Sequence, residues 1–117
     1  MLNNKTKFDL EERTARFGEN ILNFCKNIYL TRYNESLIKQ LIRSSTSIGA
    51  NYMEANGSDS RRDFKNKISI CKKESKETTH WLRMLSTVLP EKKDRLRELW
   101  KEAQELVLIF SSITNKL

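Results

Sequence analysis

One glutamate and one histidine, Glu77 and His80, have the spacing of a metal or acid–base site. Residues three apart share one face of a helix, and helical bundles use Glu-x-x-His to ligate metal ions. Such a site needs a second copy of the motif and further inward glutamates, but this sequence has a single histidine. It also has no glycine-rich phosphate loop and no GxSxG nucleophile. We therefore expect no catalytic residue, no metal and no cofactor, with His80 at a surface or an interface.

Positive charge is concentrated in one third of the chain. The net charge is +7, and residues 61–90 carry eight basic but only three acidic side chains. A localised basic face attracts polyanions, and lysines bind phosphate without reading base sequence. The alternative is a helix face that is merely solvated. The predicted nucleic-acid-binding residues are Arg61, Arg62, Lys65, Lys67, Lys72, Lys73, Lys76 and Arg83.

Four polar residues form a second constellation: Arg43, Asn51 and Glu54 on one predicted helix and Glu77 on the next. Arg43 and Glu54 are eleven residues apart, which is three helical turns, so they point the same way. We expect a hydrogen-bonded cluster that fixes the register of the two helices. A functional polar pocket is the alternative.

These residues need helices to position them, and the apolar pattern predicts four. Apolar side chains recur at alternating steps of three and four, which is one stripe on a helix. The first helix is predicted over about residues 9–29, with Thr6 or Asp9 as its cap. Asn34 should cap the second helix, Ser60 should open the third with a capping box, and Pro90 should end the third and begin the fourth.

Short connections between such long helices make sequence neighbours antiparallel. The predicted fold is therefore all-α, an antiparallel up-down-up-down four-helix bundle that forms one domain over residues 1–117. Small residues in the middle of the second helix, from Ser44 to Ala50, predict a close approach of a neighbouring helix.

Two cysteines, Cys25 and Cys71, occupy apolar positions and are predicted to be buried thiols rather than a disulfide. No run of 18 apolar residues could span a membrane, and the first ten residues lack the apolar region of a signal peptide. We therefore expect no membrane partner and a cytoplasmic location.

More apolar residues lie on the last two helices than one core seam needs. Trp81, Met84, Trp100 and Val107 fall beside the main stripes. They predict a subunit interface, because a small monomer seldom exposes two tryptophans and several aliphatic residues. A wide core face is the alternative. Trp81, with Tyr33 and Tyr52, could also stack on bases, although aromatic residues in such positions are more typical of a core or an interface.

The middle of the chain resembles a known family. The pattern Ser-Ile-x-x-Asn-x-x-Glu over residues 47–54, followed by Phe64 and Glu77, resembles the four-helix bundle proteins encoded in intervening sequences of bacterial 23S ribosomal RNA genes. The resemblance implies a ring-shaped homopentamer. It also implies kinship with accessory proteins of diversity-generating retroelements, which bind a reverse transcriptase and nucleic acid through a basic surface. Arg43, Asn51, Glu54 and Glu77 match the polar positions of the family. This sequence departs from the family at Gly49, where a proline is common, and at residues 73–74, where small residues are expected.

These features together predict a non-enzymatic oligomer that binds RNA or other nucleic acid non-specifically through a basic face of the third helix. The competing hypothesis is a protein-interaction scaffold or accessory subunit, in which a protein is the partner and nucleic acid has no direct role.

Overall fold

Four long helices make up nearly all of the computed structural model, which describes residues 3–117 without the side chains of residues 4 and 6–8. The helices are α1 (Asn4–Cys25), α2 (Glu35–Asn56), α3 (Arg61–Val88) and α4 (Lys93–Asn115). A 3₁₀ turn, Pro90–Lys92, precedes α4. The described residues contain no strand, so the predicted all-α class and the four helices are confirmed.

Contacts between helix ends show how the helices run. Asn56, at the end of α2, donates a hydrogen bond to Glu11 near the start of α1 at 2.6 Å. Lys67, in the second turn of α3, contacts Glu54 at the end of α2 at 2.7 Å. Arg61, at the start of α3, donates to the backbone carbonyl of the final residue, beyond the end of α4, at 3.1 Å. Sequence neighbours therefore run in opposite directions, as an up-down-up-down bundle requires.

The core is built by the apolar stripes of all four helices. It extends along the 44 Å length of the bundle, and the rings of Tyr52 and Phe110 meet inside it with centroids 6.0 Å apart. Thr14 fills a gap in the α1 stripe, since it is buried and its hydroxyl donates to the carbonyl of Leu10 at 2.7 Å. The largest fully buried aliphatic side chains are Ile21, Leu41, Ile48, Ile68, Leu82, Leu85, Leu96 and Leu106.

The small residues of α2 permit close packing on two sides, as predicted. Towards α3, the hydroxyls of Ser44 and Thr78 are 2.9 Å apart and both residues are fully buried. Towards α1, a Cβ atom placed on Gly49 would come within 3.3 Å of the Thr14 hydroxyl oxygen. The α1 helix packs mainly on α2 and approaches α4 at few points.

The gap between α1 and α4 is bridged by Arg13. Its guanidinium forms two hydrogen bonds of 2.8 Å with the carboxylate of Glu102 and one of 2.9 Å with Glu105. The hydrogen bond with Glu102 is the main reason that the pKa of Arg13 is raised. This planar fork matches carboxylate geometry, so it fixes the register of two helices that share little apolar contact.

The prediction that α1 runs from residue 9 to residue 29 is wrong at both ends, because α1 begins at Asn4 and ends at Cys25. Asp9 consequently lies inside the helix, and the side chain of Thr6 is outside the described residues. The early end follows from Asn34, which is buried. Its Oδ1 accepts from the N–H of Thr31 at 2.9 Å, and its Nδ2 donates to the carbonyl of Tyr29 at 3.2 Å. These bonds hold the connection in a non-helical turn, and the Asn34 side chain makes no capping bond to α2.

The other helix signals behave largely as predicted. Ser60 Oγ accepts a hydrogen bond from the N–H of Asp63 at 3.0 Å, which caps α3. The α3 helix ends at Val88, before Pro90, but Pro90 opens the 3₁₀ turn rather than α4 itself. Among residues 3–117, no helix is sufficiently long and apolar to cross a lipid bilayer.

Candidate nucleic-acid interface

Six of the eight predicted cations form one surface on α3, which we call the α3 basic face. The core stripe of α3 turns Phe64, Ile68 and Cys71 inward, so residues half a turn away face solvent. No ion pair joins any of the six to a carboxylate in the described part of the chain. The face extends about 30 Å along the helix axis. Its members are Arg62, Lys65, Lys72, Lys73, Lys76 and Arg83.

The remaining two predicted cations have structural partners. Lys67 is only half-exposed and binds the Glu54 carboxylate on α2 at 2.7 Å. Arg61 donates to the final backbone carbonyl of the chain, next to α4. Both residues therefore hold helix ends together and are less available to a phosphate than the α3 basic face.

A shallow groove of about 490 Å³ lies on the α3 basic face between its long side chains. It is lined by Lys72, Lys73 and Lys76 together with Glu77 and His80. His80 is exposed, and its ring makes a T-shaped contact with a neighbouring indole at a centroid distance of 4.9 Å. The Glu77 carboxylate accepts a hydrogen bond from a guanidinium on α2 at 2.8 Å, which weakens its repulsion of an incoming anion.

Of the four residues in the predicted polar cluster, only Arg43 and Glu77 contact each other. Arg43 binds Glu77 at 2.8 Å, as expected, and its second amino group binds Glu74 at 3.0 Å. Glu54 instead pairs with α3 through Lys67, while Asn51 donates only to a backbone carbonyl one turn earlier in α2, at 2.9 Å. Arg43 and Glu54 do share a side of α2, but three turns separate them by about 16 Å.

Glu74 was not predicted as a member of this cluster, although it is its most buried residue. It is 8% exposed and lies between α2 and α3. A charged residue next to a core stripe is usually solvated, so only its spacing of three residues from Cys71 could have indicated burial. The arrangement of Glu74, Arg43 and Glu77 fixes the register of the two helices.

The Glu-x-x-His motif does not assemble ligands. Glu77 is engaged by Arg43, whereas His80 packs beside Trp81. No group of three metal-ligating side chains occurs among the described residues. Both cysteines are buried and free, and burial raises the pKa of Cys25 to about 11 and that of Cys71 to about 12. Neutral buried thiols are poor nucleophiles, so neither is suited to covalent chemistry.

The four predicted interface residues do not form one exposed patch. Val107 is only 7% exposed and belongs to the interior of the chain, so its assignment to a surface is wrong. It lies next to Leu106, one residue from the α4 core stripe. Trp81 and Met84 are half-buried, and Trp81 packs against the core. Trp100 is 39% exposed and lies in a groove between α3 and α4.

Of the other aromatic residues, Tyr52 is fully buried and cannot stack on a base, whereas Tyr33 is 70% exposed. Tyr33 belongs to the connection between α1 and α2, together with Tyr29 and Leu30, which are 87% and 51% exposed. The sequence pattern gave little sign of this exposed apolar cluster, because the connection was assigned in part to α1.

The geometry defines a class of protein: an up-down-up-down four-helix bundle whose longest helix presents an unpaired basic face. Within that class, residues 6–112 match the model of the 23S rRNA-intervening sequence protein family, and the chain belongs to that family. The resemblance seen in the sequence is therefore confirmed.

A solved structure supports the same assignment. The chain is similar to a protein of unknown function from the S23 ribosomal protein family of Bacteroides thetaiotaomicron VPI-5482. The two chains are 30% identical, with a TM-score of 0.84, over 93% of this chain and 97% of the other. None of the curated proteins matches this sequence.

Proposed function

We propose that this protein is a non-enzymatic, oligomeric bundle that binds RNA or another nucleic acid without sequence specificity through the α3 basic face. One observation carries the proposal: six cations lie on one side of one helix, and no carboxylate pairs with them in the described part of the chain. Structural cations normally have partners, as Lys67 and Arg43 do here.

The unpaired cations favour a polyanion for electrostatic reasons. Like charges along one helix repel each other, and a phosphate backbone relieves that repulsion while it releases condensed counterions. The face is long enough to follow about nine base steps of a duplex. Lysine binds phosphate as a point charge, so such contacts position the nucleic acid without reading its sequence.

Oligomerisation strengthens this function. One face of a few lysines binds weakly at physiological salt, whereas several linked copies raise the effective concentration of the second contact. The homopentamer implied by the resemblance would present the face five times, and its mass is a prediction that sedimentation can test.

The non-enzymatic part of the proposal rests on the reactive side chains. The thiols are buried and neutral at physiological pH, because their pKa values are raised to about 11 and about 12. The histidine lies on the α3 basic face, and the nearby Glu77 is occupied by a guanidinium. Neither the thiols nor this Glu77–His80 pair is arranged for catalysis, which supports the non-enzymatic part of the proposal.

The test reverses the charge of four residues on the α3 basic face and measures RNA binding across a salt series. We expect the variant to lose binding while its thermal stability stays close to that of the wild type, because these side chains make no ion pair in the described part of the chain. For the wild type, affinity should fall steeply with salt. The variant replaces four lysines by glutamate at Lys65, Lys72, Lys73 and Lys76.

A matched variant separates the location of charge from its amount. It replaces four exposed lysines outside α3 by glutamate, so its net charge changes by the same amount as that of the α3 variant. It should retain most of the affinity for RNA. These lysines are Lys5, Lys26, Lys39 and Lys116. Equal losses in the two variants would show that only net charge matters, and intact binding in the α3 variant would refute the proposal.

A second candidate function, a protein-interaction scaffold, is favoured by the connection between α1 and α2. Tyr29, Leu30 and Tyr33 are exposed there, and the buried Asn34 holds the backbone in place. Rigid, exposed aromatic side chains are typical of protein interfaces. If this connection joins subunits, Tyr29→Ser with Tyr33→Ser should lower the sedimentation mass. An unchanged mass would exclude the connection as a subunit contact.

A further inference from the structure

An open groove of about 520 Å³ lies between the end of α3 and the beginning of α4. Its apolar floor is formed by Leu82 and Leu96, which are buried, and by the indole of Trp100, which is 39% exposed. The floor presents more apolar than polar surface, and Trp100 is the one aromatic side chain that lines it. A partly exposed indole that lines a groove is suited to a planar ligand.

The rim of the groove is positively charged. Arg83 lines it from α3, while Lys93, Arg97 and Lys101 line it from α4. No carboxylate lines the groove, and none of these four cations makes an ion pair in the part of the chain that the structure describes. Arg95, on another side of α4, does have a carboxylate partner. The positive charge of the rim is therefore not neutralised by carboxylates, and it favours an anionic ligand.

The three rim cations of α4 are spaced four residues apart, which places them on successive turns about 6 Å apart along the axis. That separation suits consecutive phosphates of an extended strand. Arg83 belongs both to this rim and to the α3 basic face, so the two positive surfaces are continuous. A strand that follows the α3 basic face consequently reaches the groove.

We infer that this groove is a binding site for single-stranded nucleic acid, in which an unpaired base stacks on Trp100 and the adjacent phosphates contact the rim cations. The inference rests on the proposed function and adds to it a preference for unpaired over duplex nucleic acid. Bases in a duplex stack on each other and leave no free face for the indole, whereas every unpaired base has a free π-face.

The charge of the groove disfavours a second copy of the chain related by twofold symmetry, and the oligomer mass of the Trp100→Leu variant tests the heterologous contact of a ring. A copy related by twofold symmetry would bring the same four cations against these four, and like charges placed opposite each other disfavour docking. An acidic helix from a partner protein shares the required charge, and the experiment distinguishes it.

The experiment uses the intrinsic fluorescence of Trp100. The sequence contains two tryptophans, so Trp81→Phe leaves Trp100 as the sole reporter. Three probes of equal charge are titrated into this variant: an oligouridine, an RNA hairpin whose short loop keeps its bases stacked, and inorganic polyphosphate. We expect the oligouridine to quench the fluorescence strongly, and the hairpin and polyphosphate to bind with little quenching, because neither presents a base to the indole.

Two substitutions at the indole then test its contribution to affinity. Trp100→Leu should weaken oligouridine binding by roughly 5- to 150-fold, the range expected for loss of one stacked base, and leave polyphosphate binding unchanged. Trp100→Tyr keeps a stacking ring and should restore most of the affinity. Circular dichroism and sedimentation of each variant show whether the fold and the oligomer mass are retained.

The outcomes separate the two proposals. If oligouridine and polyphosphate bind wild type but Trp100→Leu weakens neither, the groove is not a base-stacking site and the α3 basic face alone carries binding. If an acidic peptide quenches Trp100 and oligouridine does not, the groove is a protein site. If Trp100→Leu changes the oligomer mass, another subunit covers the groove. If no polyanion binds at low salt, the proposed function itself fails.

Discussion

Removing the side chain of Arg43 should destabilise the bundle through the buried Glu74. Arg43→Ala leaves the Glu74 carboxylate between α2 and α3 without its guanidinium partner, which lies 3.0 Å away in the native protein. A charge taken out of water needs a partner, so this change should cost much more than the loss of an exposed ion pair.

The magnitude depends on how strongly water screens the pair. The Glu74 side chain is 11% exposed but that of Arg43 is 44% exposed. At 3.0 Å the attraction is about 5.5 kcal/mol for an effective dielectric constant of about 20 and about 1.4 kcal/mol in bulk water. Loss of one partner in a fully buried pair costs about 3–5 kcal/mol. Partial screening of Arg43 reduces this, and we expect a loss of about 1–3 kcal/mol.

Urea unfolding at pH 7, followed by circular dichroism, measures this loss. Arg16→Ala is a matched control, because Arg16 also contacts a glutamate at 2.8 Å but both side chains are more than half exposed. It should leave stability unchanged. In a Glu74→Gln background, Arg43→Ala should cost less than in the wild type, since the buried charge is gone. Equal effects of Arg43→Ala and Arg16→Ala, or an unchanged effect of Arg43→Ala in the Glu74→Gln background, would show that the buried Glu74 charge is not the cause.

Three further comparisons of variants test the packing, the buried thiol and the first connection. Gly18→Ala should raise the free energy of unfolding by about 0.5–1 kcal/mol, because alanine loses less backbone entropy than glycine in a helix. The new Cβ would fit there, since its nearest neighbours lie at 3.8 Å. Gly49→Ala should raise the free energy of unfolding by less, because its Cβ would lie 3.3 Å from a hydroxyl oxygen on α1. Equal melting temperatures for the two variants would contradict this. The pKa of Cys71 is raised from 9.0 to about 12, so the native thiol stays neutral while the unfolded thiol ionises above pH 9. Between pH 8 and 10.5, wild type should therefore lose about 2 kcal/mol more stability than Cys71→Ala in urea unfolding, and parallel pH profiles would exclude this cause. Asn34→Ala should cost about 1–3 kcal/mol and open the connection between α1 and α2 to proteases, while the exposed Asn27→Ala should change neither; a resistant Asn34→Ala connection would show that other contacts hold it.

The helices could be predicted because their signals are local. Alternating steps of three and four place the stripe of Phe64 and Ile68 on one side of α3, and Ser60 caps that helix through a residue three positions away. The same stripe located the α3 basic face, since a residue half a turn from a buried one faces solvent.

The end of α1 could not be predicted from local pattern. The apolar periodicity continues after Cys25 as far as Ile28, but the helix itself ends at Cys25. The cause is the Asn34 side chain, which binds backbone groups at Thr31 and Tyr29. Asn34 was predicted to cap α2, but its side chain instead hydrogen-bonds residues that precede it in the chain.

The burial of Glu74 and the groove at Trp100 depend on packing between helices. The guanidinium that accompanies Glu74 is 31 residues away in the chain, so no local window contains both partners. Trp100 was correctly placed beside the core stripe, but its position opposite Leu82 and Arg83 follows from the register of α3 against α4. Sequence spacing fixes which side of a helix a residue faces and not what lies across from it.

The weak contact between α1 and α4 has a consequence for how the bundle opens and folds. Because α1 packs mainly on α2 and meets α4 chiefly through the fork of Arg13, it is bound to the rest along one seam. Native-state hydrogen exchange should therefore show α1 as a separate cooperative unit that opens at lower free energy than α2, α3 and α4. Since every extensive contact joins helices that are consecutive in the chain, loop closure costs little entropy, and the polypeptide should fold rapidly, with α1 docking last.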